Sequence, residues 1–352
     1  MTFKNFFFKL YHWETWHYLA KYIPIMPVWA FYCVRARSFW FFTPSNPTIS
    51  FGGFEGETKS EMYAQLPEGT YPKTIYIKPA LTFIQTEELV RQHGFDYPFA
   101  VKPDAGMMGL MFRRINTLAD LKAYHEKMPV NYIVQSLVQY PLEVSVFYYR
   151  MPYAQKGCIT GFLKKEFLQV SGDGVSTLEE LICRYERVRF RQEEIKTKNL
   201  NHLYKILPAG EIYFLSYALN LSRGGRLVSL AHEKDERLLK VFDELSLYTK
   251  HFYYGRYDIK CNSVEDLKQG RNFYILEYNG CGAEPHHAYG NGNTIFQAYT
   301  IFLQHWEVLY KISAYNHRHG FPQWGYHQGW DYLKKGKRNF RLLKKLEAET
   351  AL

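Results

Sequence analysis

One stretch of this sequence constrains the fold more than any other, the run from Tyr253 to Glu284. It contains two apolar segments, YDIKC and FYILEYNG, and the polar connection between them includes a glycine. This pattern predicts two adjacent antiparallel strands, with Asp258 on the first and Glu277 and Asn279 on the second. Because side chains two residues apart on a strand point to the same face, Glu277 and Asn279 should face one cleft.

Three oxygen donors in one cleft suit Mg2+, which takes few protein ligands and shares its other positions with phosphates and water. The candidate ligands are Asp258, Glu277 and Asn279. An ordinary hairpin with polar side chains on its wet face has the same spacing, so both interpretations stay open on this stretch alone.

Length, charge and cysteine content narrow the class of protein. At 352 residues the chain is long enough for two or three lobes around a substantial core. Its net charge of +10 favours anionic partners such as nucleotides, nucleic acid or a lipid surface, but no nucleic-acid recognition signature is present and we expect no specific nucleic-acid binding. The five cysteines are far apart and form no C-x-x-C pair, which predicts reduced thiols, a cytoplasmic protein and no zinc site.

Aromatic side chains are concentrated in residues 1–54, which include Trp13, Trp16, Trp29 and Trp40. This segment fits a cap packed on the main fold, and it also fits a membrane interface, where Trp, Tyr and basic residues collect. Its longest apolar region, from Tyr18 to Val34, is interrupted by a lysine and two prolines and falls short of the about 20 apolar residues that span a bilayer. We therefore expect no transmembrane helix.

From Phe54 onward, predicted helices and strands alternate in a pattern typical of an α/β (α+β) protein. Three of the helices have recognisable starts, with Thr86, Thr117 and Ser176 as their predicted N-caps. The last segment, from Trp330 to Leu346, is rich in lysine and arginine. It predicts a helix with a solvated basic face, and contact with a membrane or a nucleic acid is the alternative.

A glycine-containing turn follows a predicted strand in the sequence VKPDAGMMG. Lys102 lies at the end of that strand, and Gly106 and Gly109 allow the backbone amides between them to turn toward an anion. The loop is neither a Walker A sequence nor a Rossmann fingerprint. Taken alone, it fits a phosphate-binding loop or a plain hairpin turn.

Five motifs, taken in chain order, resemble the ATP-grasp superfamily, and in particular its carboxylate–amine ligases, such as D-alanine–D-alanine ligase and the ATP-grasp part of cyanophycin synthetase. The motifs are VKPDAGMMG, the strand YIV followed by EVSV, SGDGVSTLEELI, GRYDIK and LEYNG. The resemblance implies an ATP-grasp fold, in which two α/β lobes clasp ATP. It implies a reduced aromatic segment at 1–54, a central and first lobe at 55–135, a second lobe with the metal site at 136–317, and a basic tail at 318–352.

The same resemblance implies which residues bind ATP. Two lysines and the glycine loop would hold the phosphates, the hinge between the lobes would read adenine through its backbone, and one carboxylate would hold the ribose. In chain order these residues are Lys59, Lys102, Gly106, Met107, Met108, Gly109, Gln135, Ser136, Val138 and Glu143.

The resemblance further implies the chemistry. Lys165 and Arg256, with Lys102, would face the transferred phosphoryl group as catalytic residues, and the three oxygen donors of the hairpin would bind Mg2+ or Mn2+. The reaction would be ATP-dependent, ADP-forming ligation of a small-molecule carboxylate to an amine through an acyl phosphate. Both steps build negative charge on phosphoryl oxygens, which fixed cations stabilise.

Substrate recognition is expected outside these motifs, because the segment CGAEPHH departs from the D-alanine ligases, and D-alanyl-D-alanine synthesis is therefore not expected. Glycine amides with a neighbouring arginine could grip a carboxylate, and an acid or histidine beyond the metal strand could take the amine proton. The candidates are Arg223, Gly224, Gly225, His232, Glu284, His286 and His287.

Several alternatives stay open on the same fold. They are an enzyme acting on a lipid- or sugar-linked acceptor at a membrane surface, a small-molecule kinase, and a nucleotide-binding module without turnover. A peripheral membrane contact and a homodimer are open as well.

Overall fold

The computed structural model describes residues 13, 16–185, 188, 191–216, 225–289 and 292–350. Up to the first sheet, its elements are α1 (Tyr18–Tyr22), α2 (Met26–Ala36), α3 (Lys59–Tyr63), β1 (Thr74–Ile77), α4 (Phe83–Gln92), β2 (Phe99–Pro103), β3 (Arg113–Ile115), α5 (Leu118–Lys127) and β4 (Tyr132–Ser136). The elements that follow are β5 (Leu142–Tyr149), β6 (Cys158–Glu166), β7 (Leu168–Ser171), α6 (Leu178–Arg184), α7 (Gln192–Lys198), β8 (Ile212–Ser216), β9 (Arg226–Ser229), α8 (Glu236–Thr249), β10 (Tyr254–Cys261), α9 (Val264–Lys268), β11 (Phe273–Asn279), α10 (Ile295–Arg318) and α11 (Tyr326–Thr350).

The first lobe is a four-stranded antiparallel sheet in the order β1-β4-β2-β3 with α4 and α5 packed on it. Alternation along the strands decides which side chains enter the core. Val101 and Val134 lie opposite each other and are fully buried, and Leu121 of α5 covers them. Lys102 therefore points to the opposite face of the sheet.

The second lobe is built on a five-stranded antiparallel sheet in the order β11-β10-β5-β6-β9. On β10, Tyr257 and Ile259 enter a core that Phe242 of α8 completes, so Arg256 and Asp258 face the other way. The predicted antiparallel pairing of β10 with β11 is confirmed, and the connection between them contains α9. Together the two lobes confirm the predicted α/β class.

Helix starts differ from the prediction at two of three positions. Thr117 caps α5 as predicted, through a capping box with the acid three residues later. Helix α4 is capped by Thr82, and Thr86 is a buried residue inside the helix. Helix α6 is capped by Thr177, while Ser176 donates to an aspartate of the preceding turn. In both helices the structure uses the threonine that has a Gln or Glu three residues later.

Most of residues 40–54 are buried, and this segment closes one end of the second sheet. Phe41, Phe42 and Phe51 have almost no exposed surface and pack with α10 and α11. The backbone of Gly52 and Gly53 accepts hydrogen bonds of 3.1 Å from the two residues that follow the β11 turn. Gly53 has φ +73°, and a Cβ on it would lie 2.8 Å from the Gly280 Cα, so only glycine allows the two backbones to meet. This part of the N-terminal segment is a packed cap.

The C-terminal segment forms helix α11, and the side opposite its predicted solvated basic face packs on the rest of the fold. Its first turns pack on the N-terminal cap, where the Trp330 ring lies 5.4 Å from that of Trp40. Farther along, Leu343 is fully buried in the core of the first lobe. Glu347 accepts a hydrogen bond of 2.7 Å from the Met111 amide. The helix therefore joins the cap to the first lobe, while its basic residues face outward.

As predicted, none of the described helices is long and apolar enough to cross a membrane.

Candidate active site

Helix α3 places Lys59 between the two sheets. The Lys59 amide donates to the Asp104 carbonyl at 3.0 Å, and Ser60 donates to the Asp104 carboxylate through its amide at 2.8 Å and its hydroxyl at 2.7 Å. The Lys59 Nζ lies 3.4 Å from the Gly106 carbonyl oxygen and 3.9 Å from Glu277 Oε1. Lys59 thus connects the glycine loop of the first lobe to β11 of the second.

The glycine loop is a tight turn fixed on both sides. Met108 and Gly109 have φ of +58° and +68°, a left-handed conformation that suits glycine and that methionine seldom adopts. On one side the Asp104 amide donates to the Asn131 carbonyl at 2.9 Å. On the other, Asn339 of α11 donates to the Ala105 carbonyl at 2.9 Å. The predicted loop is therefore held by the C-terminal helix as well as by its own lobe.

Lys102 lies on β2 beside Lys59 on the cleft side of the first sheet. Burial and, after it, the positive charge of Lys59 lower the pKa of Lys102 to about 7, while Glu277 and Glu143 act in the opposite direction. This lysine is short of negative charge, and an anion such as a phosphate would supply it.

Asp258 is the centre of a buried charge network on the second sheet. Its carboxylate lies 3.1 Å from Lys165 Nζ and 3.2 Å from Arg256 Nε, and it accepts from Asn279 Nδ2 at 3.3 Å. Glu143 lies 3.3 Å from Lys165 Nζ. Burial alone would raise the pKa of Asp258, but Arg256 and Lys165 together lower it below the usual carboxyl range. Two carboxylates and two cations balance each other in this network.

The structure brings the three predicted metal ligands to one face. Asp258 lies opposite Glu277 across β10 and β11, and Asn279 lies two pairs farther along, opposite Arg256. Within the described residues there is no group of three His, Cys, Asp or Glu side chains suited to a metal, so the predicted set depends on the Asn279 amide and on phosphate or water. Two carboxylates and an amide match the hard oxygen donors that Mg2+ prefers, and these residues fit the ion.

The predicted adenine-reading hinge lies at the end of β4. Gln135 is buried, and its Nε2 donates to Tyr63 Oη at 3.1 Å and to Thr74 Oγ1 at 2.8 Å, so its side chain serves the first lobe. The Ser136 amide donates to the backbone of residue 73 at 3.0 Å, and the Val138 carbonyl accepts from Lys260 at 3.1 Å. Adenine binding by this backbone stays a prediction.

Of the residues predicted beyond the metal strand, His286 reaches the charge network. Its Nε2 lies 3.2 Å from an Arg256 Nη1 that also donates to the Glu284 carbonyl at 3.2 Å. Burial and the nearby Arg256 lower the pKa of His286, which favours the neutral ring. The Glu284 carboxylate accepts from Tyr22 at 2.8 Å and is thus committed to α1.

The other predicted substrate residues lie elsewhere or cannot be described. His232 is 73% exposed and lies 3.6 Å from its neighbour Glu233, so the structure does not bring it to the network. Gly225 immediately precedes β9. Arg223 and Gly224 lie outside the described residues.

A cavity of about 790 Å3 lies between the glycine loop, β11 and α11, and sequence reasoning missed part of its wall. Tyr332 and Lys335 of α11 line it, as does Glu57, two residues before Lys59. Glu57 Oε2 is buried and has no hydrogen-bond donor among the described residues. Burial raises the pKa of Glu57 to about 7. No sequence motif marks Glu57; its one signal is its position just ahead of the predicted nucleotide lysine.

No protein-family model and no curated protein sequence matches the chain. Similar solved structures include a bifunctional glutathione synthetase from Pasteurella multocida, 12% identical over 70% of this chain and 35% of that one, with a TM-score of 0.42. The chain thus spans about a third of that protein's length.

Two further similar structures are ligases by their names. D-alanine–D-alanine ligase from Bacillus anthracis, complexed with ATP, is 12% identical over 78% of this chain and 69% of that one, with a TM-score of 0.40. VanG D-Ala:D-Ser ligase from Enterococcus faecalis is 12% identical over 76% of this chain and 60% of that one, with a TM-score of 0.38. These are structures to which the chain is similar, and the assignment to the ATP-grasp carboxylate–amine ligases stays what its motifs predict.

Proposed function

We propose that the chain is an ATP-dependent, ADP-forming carboxylate–amine ligase. The observation that supports this most is the meeting of two charged surfaces in one cleft, where Lys59 and Lys102 of the first lobe approach Glu277 of the second. On the second lobe, Lys165 and Arg256 flank the same face. Cations from both sides of a cleft suit a polyphosphate, whose negative charge needs neutralisation on several oxygens.

Mg2+, when bound, would neutralise phosphate charge at Asp258, Glu277 and Asn279. The protein's own cations act on the same charge. Lys59 and Lys102 would hold the phosphate chain under the glycine loop, and Arg256 would face the phosphoryl group being transferred. All of these groups are fixed by the two sheets before substrate arrives, so little reorganisation is needed at the moment of reaction.

The proposed chemistry has two steps. A carboxylate oxygen of the acid attacks the γ-phosphorus of ATP, and the bond from that phosphorus to ADP breaks, which leaves an acyl phosphate. An amine that arrives as an ammonium ion first gives up one proton. The neutral amine then attacks the acyl carbon, a C–N bond forms, the bond from carbon to phosphate oxygen breaks, and the departing phosphate takes up the second proton from the nitrogen. Arg256 and Lys165 stabilise the charge on the phosphoryl oxygens in both steps.

We place the amine in the cavity beside Glu57. Its walls include Glu55, Glu57 and Glu61, against one cation, Lys335. Glu61 is already committed, because it accepts from the Ser50 amide and hydroxyl at 2.8 Å each. A protonated amine would supply the hydrogen-bond donors that Glu57 Oε2 lacks, and its charge would offset the cost of burying the carboxylate.

The test is to incubate the protein with ATP, Mg2+ and libraries of amino acids, dipeptides and simple amines, and to measure ADP and inorganic phosphate. A ligase releases both in equal amounts and only when acid and amine are present together, or when hydroxylamine replaces the amine and traps the acyl phosphate as a hydroxamate. ADP without phosphate would identify a kinase instead. ATP binding without any turnover would indicate that the protein is a nucleotide-binding module without catalytic activity.

The variant Glu277→Gln tests the proposed metal site. It removes one charged metal donor and keeps the shape of the side chain, so ADP release should fall at least about 100-fold while the circular dichroism spectrum is unchanged. An unchanged rate would remove Glu277 from the metal site.

A further inference from the structure

The outer side of α1 and α2 is an apolar surface that nothing in the described structure covers. Its exposed side chains are spaced three to five residues apart, and Ile23 and Val34 are 62% and 76% exposed. We call this surface the N-terminal apolar face; its large members are Leu19, Ile23, Met26, Phe31, Val34 and Phe39. Alanine and proline fill the other exposed positions from Leu19 to Phe31. Such a contiguous patch is rare on a protein that meets only water.

Lys21 and Tyr22 of α1 turn their polar groups inward, and the one charged residue of α2, Arg35, is exposed in its last turn. Lys21 is buried, and its Nζ lies 4.9 Å from the centre of the Tyr289 ring. Tyr22 donates to Glu284 at 2.8 Å. On α2, the inward rings of Trp29 and Tyr32 pack on α10. Because helices that are apolar all round are normally buried, a segment with its polar groups inside and its outer side apolar indicates an apolar environment outside.

Cations border this face. Arg35 and Arg37 are exposed at the end of α2. The face continues onto α11 through Phe39, whose ring lies 6.1 Å from that of Tyr326.

A row of exposed basic residues extends from that contact along α11. At about 100° per residue, Lys337, Arg341 and Lys344 fall within about 60° of Tyr326 around the helix axis. An apolar surface bordered by cations and by exposed aromatic rings is the pattern of helices that lie in the interface of an anionic bilayer.

We propose that the N-terminal apolar face docks on an anionic lipid bilayer, with α1 and α2 lying in the interface and the basic row of α11 over the headgroups. A second copy of the chain is the less favourable occupant, because it would bring Arg35, Arg37 and the basic row close to their own counterparts. This docking would hold the protein at the membrane surface, and none of the helices in the described residues would cross the bilayer. It does not depend on the proposed reaction.

Sedimentation of the full chain with lipid vesicles tests the proposal. The probes are vesicles of phosphatidylcholine alone and vesicles that also contain phosphatidylglycerol, at low and at physiological salt. We expect binding to the anionic vesicles, weakened by salt, and at least about tenfold weaker binding by the double variant Ile23→Asp, Val34→Asp. Ile84→Asp is the matched control, since Ile84 is 77% exposed on α4, and it should bind as the unaltered chain does.

A second double variant, Lys337→Glu with Arg341→Glu, separates charge from apolar contact. It should lower affinity for the anionic vesicles and flatten its dependence on salt. The substituted residues are exposed, and thermal unfolding and circular dichroism will show whether each variant keeps its fold. The proposal is overturned if the unaltered chain stays in the supernatant. It is also overturned if the double variant Ile23→Asp, Val34→Asp and the control Ile84→Asp bind the anionic vesicles equally. It is overturned as well if light scattering shows a dimer that Val34→Asp converts to a monomer in a chain that binds no vesicles.

Discussion

The charges around Asp258 on the second sheet and those around Lys102 on the first are compensated in different ways. Asp258 has two cations within 3.2 Å, and Glu143 pairs with one of them, Lys165. Burial and the neighbouring Lys59 lower the pKa of Lys102 to about 7, and Glu57 has a raised pKa and a carboxylate oxygen without a hydrogen-bond donor among the described residues. The protein's own charges balance on one side of the cleft, and on the other side a ligand would complete the balance.

This difference separates stability from binding. A buried network whose charges balance holds the fold together, and removing one member leaves the rest uncompensated. Buried groups without partners reduce the stability of the free protein, but a ligand of opposite charge relieves that cost when it binds. Substitutions on the two sides should therefore have opposite effects on stability.

The largest effect is expected for Asp258→Asn, which leaves Lys165 and Arg256 without their shared carboxylate. The free energy of unfolding should fall by about 3–5 kcal/mol, measured by urea titration of tryptophan fluorescence. Because the pKa of Asp258 is lowered in the fold, its contribution is complete at neutral pH and is lost as the pH falls through the carboxyl range. The difference from the unaltered chain should thus shrink in acid.

Glu265→Gln is the control for that experiment. Glu265 pairs with Arg237 at 2.6 Å, but both side chains are more than half exposed, so the loss should stay below about 1 kcal/mol. Equal losses in the two variants would contradict the idea that the Asp258 network holds the second sheet together.

On the other side of the cleft, Glu57→Gln should separate function from stability. The KM for the amine should rise about 10- to 100-fold, because a charged hydrogen bond is lost, while hydroxamate formation from the acid changes little. The variant should be as stable as the unaltered chain or more stable, since a buried carboxylate without a donor is removed.

The same substitution at an exposed position, Glu68→Gln, should leave both quantities unchanged. A Glu57 variant that unfolds at a lower temperature and keeps its amine KM would assign Glu57 a structural role only. Absence of any amine-dependent turnover in the unaltered chain would be a failure of the ligase proposal itself, and not of the position given to Glu57.

A smaller effect is expected from Lys102 as the pH changes. Nucleotide phosphates bind the protonated lysine better, so binding raises its pKa and takes up a proton. Affinity should be constant below pH 7 and fall by about tenfold for each pH unit above it, until the pKa of the bound form is reached. Fluorescence titration with an ATP analogue between pH 6 and 9 measures this. Lys102→Arg stays protonated throughout and should lose this slope; if it keeps the same slope, another group titrates.

The sequence predicted the metal-binding face of the second sheet better than it predicted the cavity wall formed by Glu57 and α11. Asp258, Glu277 and Asn279 were placed correctly because the period of a strand decides which side chains share a face. The helix starts at Thr86 and Ser176 were wrong by four residues and by one. A threonine with Gln or Glu three residues later makes a reciprocal cap, and that signal was present at Thr82 and Thr177.

Glu57 and the inner side of α11 could not be predicted in the same way. Burial of Glu57 depends on chain segments far away in sequence, including Tyr332, so no local pattern indicates it. In α11 the lysines and arginines dominate the composition, and they concealed a sparse apolar repeat that includes Phe340 and Leu343. The outward-facing half of the helix was predicted correctly, and the buried half was not.

The substitution Glu347→Gln, at the far end of α11, tests the buried side of that helix and should have the smallest effect. Glu347 holds the Met111 amide at 2.7 Å and lies 3.1 Å from Arg113 Nη1, with both side chains partly buried. Loss of the charge should lower the free energy of unfolding by about 1 kcal/mol. It should also weaken ATP binding slightly, because α11 fixes the glycine loop through Asn339.

Glu349→Gln is the matched control, because Glu349 pairs with Lys345 at 3.7 Å and both side chains are exposed. It should change neither the free energy of unfolding nor the affinity for ATP measurably. If the Glu347 and Glu349 variants behave alike, α11 covers the first lobe without positioning the glycine loop. The loop is then held by its own lobe alone.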